Sequence, residues 1–390
     1  MQIFTIRYGK TVIHFGIGVV KKLEDVVRNV KRVYIVTSRN AARISGALND
    51  IESVLQAQNI NYEVYDGVRP NPEYVIIEQI ADYIKSFDPE LVIAVGGGSV
   101  VDSAKVAAAL AICGGHVKDY ILRGRQINGS KPIIAVNLTH GTGSEVNRYA
   151  VVTIDDPKTK YGIASDYFYP IVSFEDPKYT ITMPHKQVIY TSLDAFYHAY
   201  EAATGRDSSP FALMFAEEAS KLIMRWLPIA SKDPKNIEAR YWLLYASMLA
   251  GIAIDNSRAH IIHAIENVLS GINTDLPHGA GLAMIGPAAI MYIHRAVPEH
   301  SCRTIRHIDP SLRPVEEDAE KAGKVVMMFE RSVGFDEKLY DYGFTEKEVQ
   351  IIVNTVVNVL SHNLRLTPFN VDIETIKSIY LRSLQGIDVM

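Results

Sequence analysis

Short runs of β-branched residues alternate with longer helical patterns through the first half of the chain. Arg32–Thr37 (RVYIVT), Asn61–Tyr65 (NYEVY), Leu91–Val95 (LVIAV) and Ile133–Val136 (IIAV) have the apolar, branched character of buried strands. Between them, Ala41–Gln58, Glu73–Phe87 and Ser99–Cys113 repeat apolar residues at helical spacing. Strands separated by helices of this length predict βαβ units and a mostly parallel sheet. The pattern changes near Met183-Pro184. Beyond it strand-like runs nearly vanish, and Thr191–Thr204, Pro210–Leu227, Ala239–Leu269 and Glu346–Ser361 read as helices. The boundary is expected in the loop around Asp176–Pro184, which carries two prolines. The predicted organisation is an α/β domain of nucleotide-binding type over residues 1–183, followed by an all-α domain over 184–390.

Composition narrows the class without changing that picture. A chain of 390 residues exceeds one ordinary core, which agrees with two domains. Hydrophobic residues at 48% and charged residues at 22% are ordinary for a soluble protein. A net charge of −4 with pI near 6.3 argues against nucleic acid or an acidic membrane as partner. Apolar stretches such as Leu91–Val95 and Lys105–Cys113 are far too short to span a bilayer. Met1–Tyr8 has no charged start leading into an apolar core, so no secretory signal is expected. Cys113 and Cys302 are the only cysteines; they cannot form a disulfide framework or a cysteine zinc site, and they suit a reducing cytoplasm.

Two glycine-rich segments carry the first candidate chemistry. Leu91–Val95 runs directly into Gly96-Gly97-Gly98-Ser99 and then into a helix. The glycines permit close approach of backbone to a ligand, Ser99 is the expected N-cap, and the helix start offers amides to a phosphate. A tight turn with a capping serine would look the same. A second segment, Thr139-His140-Gly141-Thr142-Gly143-Ser144-Glu145, follows the run Ile133–Val136. Two such loops at the carboxyl ends of parallel strands lie where open α/β sheets bind ligands, which favours a nucleotide crevice. Gly16-Ile17-Gly18 resembles the opening of the usual dinucleotide fingerprint, but the third glycine position holds Lys21 and no clear strand-turn-helix is predicted around it.

The helical half carries a candidate metal constellation. Asp194 and His198 are four apart on one predicted helix and share a face. The next long helical segment carries His260 and His263, and His278 follows in Leu276-Pro277-His278-Gly279. One carboxylate and several imidazoles suit Fe2+, Zn2+ or another first-row divalent ion. Taken singly, each residue is more often a capping carboxylate or a hydrogen-bonded core histidine; the combination is what raises the metal reading.

These motifs, in this order, resemble the iron-containing (group III) alcohol dehydrogenase family over nearly the whole chain. The resemblance rests on Asn71-Pro72, the Gly96–Ser99 turn with Asp102 and Lys105, Gly141-Thr142-Gly143-Ser144-Glu145-Val146, and Asp176-Pro177. It continues through Asp194-Ala195-Phe196-Tyr197-His198-Ala199, His263-Ala264-Ile265-Glu266 and Pro277-His278-Gly279. It implies a Rossmann-like domain followed by a helical domain, with Asp194, His198, His263 and His278 as ligands of Fe2+. It places cofactor contacts on Ser38, Asn71, Gly97, Gly98, Ser99, Thr139, Thr142, Val151 and Lys160. The implied activity is hydride transfer between a small alcohol or aldehyde and NAD(P); a homodimer is expected separately, as the commonest oligomeric default.

Three departures from the family pattern matter. Many members have Thr-Thr-Ala before Gly-Thr-Gly-Ser-Glu, where this chain has Leu138-Thr139-His140. Many carry a histidine four residues after the third ligand, where this chain has Asn267, which cannot titrate; His260 is the alternative candidate for a proton relay. NAD-specific members often end the first strand with an aspartate, where this chain has Thr37-Ser38-Arg39. A carboxylate there would repel a 2′-phosphate, whereas Ser38 and Arg39 can donate hydrogen bonds to one, so NADP(H) is favoured over NAD(H). Glycerol dehydrogenase and maleylacetate reductase share this architecture, and a non-catalytic nucleotide- or metal-binding protein could be built on it. Maleylacetate reductases do not depend on metal, so chelation separates that alternative.

Overall fold

The computed structural model describes residues 1–387. Its central sheet has seven strands in the order β1-β2-β9-β6-β5-β3-β4. The strands are β1 (Phe4–Tyr8), β2 (Thr11–Phe15), β3 (Arg32–Thr37), β4 (Asn61–Tyr65), β5 (Leu91–Gly96), β6 (Ile133–Asn137) and β9 (Val172–Glu175). All neighbours pair parallel except β1 with β2. A separate two-stranded ribbon joins β7 (Tyr149–Asp155) to β8 (Lys158–Ala164).

Both faces of the sheet are buried, which explains why the central strands are apolar at every position. Tyr34, Val36, Val92, Ala94, Ile133 and Ala135 enter one core, with the Tyr74–Phe87 and Gly98–Cys113 helices. Val33, Ile35, Ile93, Val95, Ile134 and Val136 enter the other, with the Ala47–Ala57 helix. From β3 the chain moves outward to β4, then returns to β5 on the other side of β3 and continues to β6. The reversal makes a crevice at the carboxyl ends of β3 and β5, the usual ligand position in such sheets.

Several expectations change. Ala41–Gln58 is two helices, Ala41–Ile44 and Ala47–Ala57, because Gly46 at φ 82° interrupts the helical backbone. Gly97, not Ser99, occupies the N-cap of the Gly98–Cys113 helix, and Ser99 lies inside the first turn. Gly16-Ile17-Gly18 does follow a strand, β2, and leads into helical turns at Val19–Lys22 and Leu23–Val26. Ala239–Leu269 divides into Ile237–Asn256 and Ile261–Ile272. The strands β1, β2, β7, β8 and β9 carry no strong sequence signal, being short or mixed in polarity.

The described chain forms two compact units that no single cut in sequence separates. The sheet unit comprises Met1–Ile154, Tyr161–Pro184 and Lys235–Leu244; the helical unit comprises Asp155–Lys160, His185–Pro234 and the chain from Tyr245 onward. In the sheet unit Tyr241 packs edge-on against Phe15 at 5.0 Å and donates to the Gln2 carbonyl, which anchors the start of the Ile237–Asn256 helix. In the helical unit the His185–Thr204 helix is buried on almost every side. No described helix is long and apolar enough to cross a membrane.

The loop after β6 is held by buried polar groups. Lys105, fully buried, donates to Ser144 Oγ at 2.8 Å and to the carbonyls of Asn147 and Tyr149 at 3.0 and 2.7 Å. Asp102 accepts from Ser144 Oγ at 2.5 Å and from the Val151 amide at 2.9 Å. Beneath them lies a buried carboxyl pair. Burial, the charge of Glu145 and their mutual hydrogen bond keep Glu175 protonated well above its ordinary range, while Asn137 Nδ2 donates to its Oε2. Burial pushes Glu145 up to about 7.

In the unfolded chain Glu175 ionises near its ordinary value of 4.5. The folded state therefore holds more protons above that pH, and stability must fall as pH rises through the window. Glu175→Gln imitates the protonated carboxyl and removes this dependence. Denaturant unfolding from pH 5 to 8 should show a flatter profile for the variant, with a relative gain on the order of 1 kcal/mol by pH 8. Parallel profiles for the two proteins would show that the pair does not hold the proton.

Candidate metal centre

Three glycines determine how closely the helices around the candidate ligands approach. A Cβ on Gly279 would overlap the carbonyl oxygen of Tyr190, so only glycine lets the His278–Ala296 helix begin against the His185–Thr204 helix. This brings His278 beside Asp194, one turn beyond Tyr190. A Cβ on Gly271 would overlap the backbone of Thr159, and one on Gly281 would lie 2.8 Å from Glu266 Cγ. Those positions allow Lys160 and Glu266 to meet.

Asp194, His263 and His278 present ligand atoms that all lie within 4.8 Å of one another. Asp194 Oδ1 is 3.9 Å from His263 Nε2 and 3.7 Å from His278 Nε2. Two donors at about 2.1 Å from one ion stand roughly 3 to 3.5 Å apart, so the spacing is within a few tenths of an ångström of a ligand set. His198 stands beside this trio: its Nδ1 is 3.4 Å from Asp194 Oδ1 and its ring stacks on His263 at 4.5 Å between centroids. Buried Asp194 Oδ1 and His263 Nε2 have no hydrogen-bond partner. Orphaned buried polar atoms are costly, and a divalent cation would satisfy both. One carboxylate oxygen with imidazole nitrogens fits Fe2+ or Zn2+.

Two carboxylates overlooked in the sequence orient the imidazoles. Glu201 Oε2 lies 2.5 Å from His263 Nδ1, and its Oε1 accepts from the Ile262 amide at 2.7 Å. It thereby satisfies open amides at the start of the Ile261–Ile272 helix, which is why the predicted long helix breaks there. Glu266 pairs closely with His278 Nδ1. With Nδ1–H committed to a carboxylate, each Nε2 lone pair is directed toward Asp194. Glu201 lies one turn after His198, and Glu266 one turn after His263, so spacing alone was a usable signal.

The charges reinforce one another. Burial would raise Asp194, yet His198, His263 and His278 together hold it well below the ordinary carboxylate range. Burial lowers His263, but the neighbouring carboxylates of Asp194 and Glu201 outweigh it and raise the imidazole to about 9. Glu201 is pushed up by burial and pulled down further by His260 and His263, ending at about 2.

The remaining candidates are distributed unevenly. Ser38 and Arg39 follow β3, and Gly97, Gly98 and Ser99 follow β5, at the crevice described above. A Cβ on Gly97 would lie 2.8 Å from Thr139 Cγ2, and one on Gly98 would overlap Thr142, so the two glycine loops are in direct contact. Asn71, at φ 51°, is tied through its carbonyl to Thr153 Oγ1 at 3.0 Å. The Val151 amide is occupied by Asp102. Lys160 belongs to the helical unit, with Nζ 2.8 Å from His278 Nδ1 and 3.4 Å from Glu266. His260 is fully buried against Glu201 at 3.1 Å and Thr204 at 3.2 Å, on the same carboxylate that holds His263. The Asn267 carbonyl accepts from Thr159 Oγ1.

Residues 10–177 match the iron-containing alcohol dehydrogenase family, and residues 188–384 match the C-terminal region of the Fe-containing alcohol dehydrogenase family. The long-chain primary alcohol dehydrogenase AdhA of Thermoanaerobacter ethanolicus is 37% identical over 358 residues, covering 90% of each chain. A 1,3-propanediol dehydrogenase of Klebsiella pneumoniae is 31% identical, covering 82% of this chain and 83% of the relative. Among solved structures, the NADH-dependent butanol dehydrogenase A of Thermotoga maritima superposes with a TM-score of 0.88, at 29% identity and 98% coverage of both chains.

Glu201→Gln keeps the size of the side chain but removes the charge that orients His263. It is expected to weaken divalent-ion binding on the order of 10–100-fold. Calorimetric titration of chelator-stripped protein with Zn2+ checks this; unchanged affinity would mean that Glu201 serves only to start its helix.

Proposed function

The chain belongs to the iron-containing alcohol dehydrogenase family, and we propose that Asp194, His198, His263 and His278 hold its divalent ion, with Fe2+ as the resident metal. It is an NAD(P)-dependent alcohol dehydrogenase that interconverts alcohols and aldehydes. The observation carrying the ligand assignment is the convergence of Asp194, His263 and His278, two of whose buried donor atoms lack any hydrogen-bond partner. Nucleotide binding is assigned to residues 1–183, and metal and substrate binding to 184–390. A small alcohol or aldehyde is the substrate, and a cytoplasmic homodimer is the working form. Two free cysteines and the prevalence of twofold symmetry support the last assignment.

Asp194, His198, His263 and His278 would hold a divalent ion, which would supply Lewis acidity to the oxygen of an alcohol or aldehyde. The Gly97-Gly98 turn and the Thr139–Thr142 loop would hold a nicotinamide cofactor, which would supply the hydride acceptor or donor. The protein supplies everything that makes these events local. Glu201 and Glu266 hold the Nδ1 protons of His263 and His278, so their Nε2 atoms remain available as donors. Gly97 and Gly98 remove side chains from the crevice, and amides in the first turn of the Gly98–Cys113 helix favour a phosphate. Thr139 and Thr142 bring hydroxyls to the same loops. Ser38 and Arg39 offer donors to a 2′-phosphate, which supports NADP(H) over NAD(H).

Stripping with chelator should abolish aldehyde reduction, and Fe2+ added anaerobically should restore it. His263→Ala should lose bound metal and turnover together; a fully active variant would remove His263 from the ligand set. For cofactor choice, kcat/KM with NADPH should exceed that with NADH. Ser38→Asp places a carboxylate against the 2′-phosphate and should lower NADPH efficiency by at least roughly 10-fold, with NADH little affected. Equal losses with both cofactors would overturn the NADP(H) assignment.

A further inference from the structure

The residues after β6 have no regular secondary structure from Leu138 to Val146, so side-chain anchors must determine their shape. One end is anchored by Asp102 and Lys105 through Ser144 and Asn147. The other end holds His140, which replaces the alanine common in the family and is fully buried. Arg240 Nη1 donates to His140 Nε2 at 2.8 Å, and Arg240 is itself fully buried. The start of its helix is seated in the sheet unit, with the next residue, Tyr241, packed on Phe15. Burial followed by the charge of Arg240 keeps the His140 imidazole well below its usual range, hence neutral and able to accept. Burial lowers Arg240 only to about 10, so it remains a cation at neutral pH.

We propose that Arg240 and His140 position the Thr139–Thr142 loop for the nucleotide. The pair holds the loop against the Gly97-Gly98 turn and governs nucleotide affinity rather than the chemical step. The inference rests on the reading that this loop contacts the cofactor. The geometry supporting it is continuous: Thr139 packs on Gly97, Thr142 packs on Gly98, and His140 lies between those two threonines. Truncating His140 would leave a buried guanidinium facing a void and free one end of the loop. Neither residue touches the ligand; both act through the loop backbone. The loss of a loop hydroxyl relative to the family is thus accompanied by a new rigid anchor.

The test uses metal-loaded protein and measures NADPH and NADH dissociation constants by fluorescence titration, with kcat at saturating cofactor and bound metal determined in parallel. The variants are His140→Ala, His140→Gln and Thr142→Val. Gln places Oε1 about where Nε2 lies and retains an acceptor for Arg240. The expected result is about 10-fold weaker nucleotide binding for His140→Ala and rescue to within about 3-fold by His140→Gln. Metal content and saturated kcat should stay within about 2-fold in both. If Ala and Gln weaken binding equally, or neither changes it while Thr142→Val does, the anchor role is overturned and the loop assignment survives. If Thr142→Val and His140→Ala both leave affinity unchanged, the loop does not hold the nucleotide and both readings fall.

Discussion

Charge that is buried must be met by charge or by directed hydrogen bonds, and this constraint organises the chemistry of the chain. In the helical unit Asp194, Glu201 and Glu266 are all buried, in the company of four imidazoles and Lys160. Left alone, these carboxylates would be driven to protonate. Surrounded by histidines they stay ionised, and each carboxylate orients the ring that neutralises it. Asp194 Oδ1 and His263 Nε2 are among the buried polar atoms left without a hydrogen-bond partner, and they are the two that a cation between these side chains would take up.

The sheet unit meets the same constraint to a different end. Lys105 and Asp102 are buried beneath the loop after β6, and their hydrogen bonds run to the loop's own backbone and side chains. Arg240 and His140 act at its other end. Buried polar groups here replace regular secondary structure as the source of order, which a loop offering hydroxyls and amides to a ligand cannot obtain from a strand or helix ladder. The glycines have the complementary task. Gly97 and Gly98 let the two loops touch, and Gly279 and Gly281 let helices close around His278 and Glu266.

The relatives range from a long-chain primary alcohol dehydrogenase to a 1,3-propanediol dehydrogenase while matching this chain over most of its length. The departures from the family pattern read in the sequence are local: Ser38-Arg39 after β3, His140 in the loop after β6, and Asn267 one turn past His263. That is the expected signature of a fold whose architecture is held by both-sided sheet burial and helix packing, with function tuned by individual side chains.

The sequence by itself determined the class of the fold and the identity of the candidate ligands. Central strands such as Leu91–Gly96 must be apolar on both faces, so they announce themselves; Asp194 and His198 share a helix face by spacing alone. Short strands such as Phe4–Tyr8 and Val172–Glu175 become strands only because neighbours supply their hydrogen bonds, and no local pattern encodes that. The break before Ile261 was equally hidden, since the carboxylate that caps the start of the second helix comes from Glu201, some sixty residues earlier. Only the tertiary structure decided that Lys160 faces His278, that Glu201 and Glu266 orient the imidazoles, and that Arg240 reaches His140. These pairings join residues far apart in the chain, and their energy depends on burial, which exists only once the chain has packed.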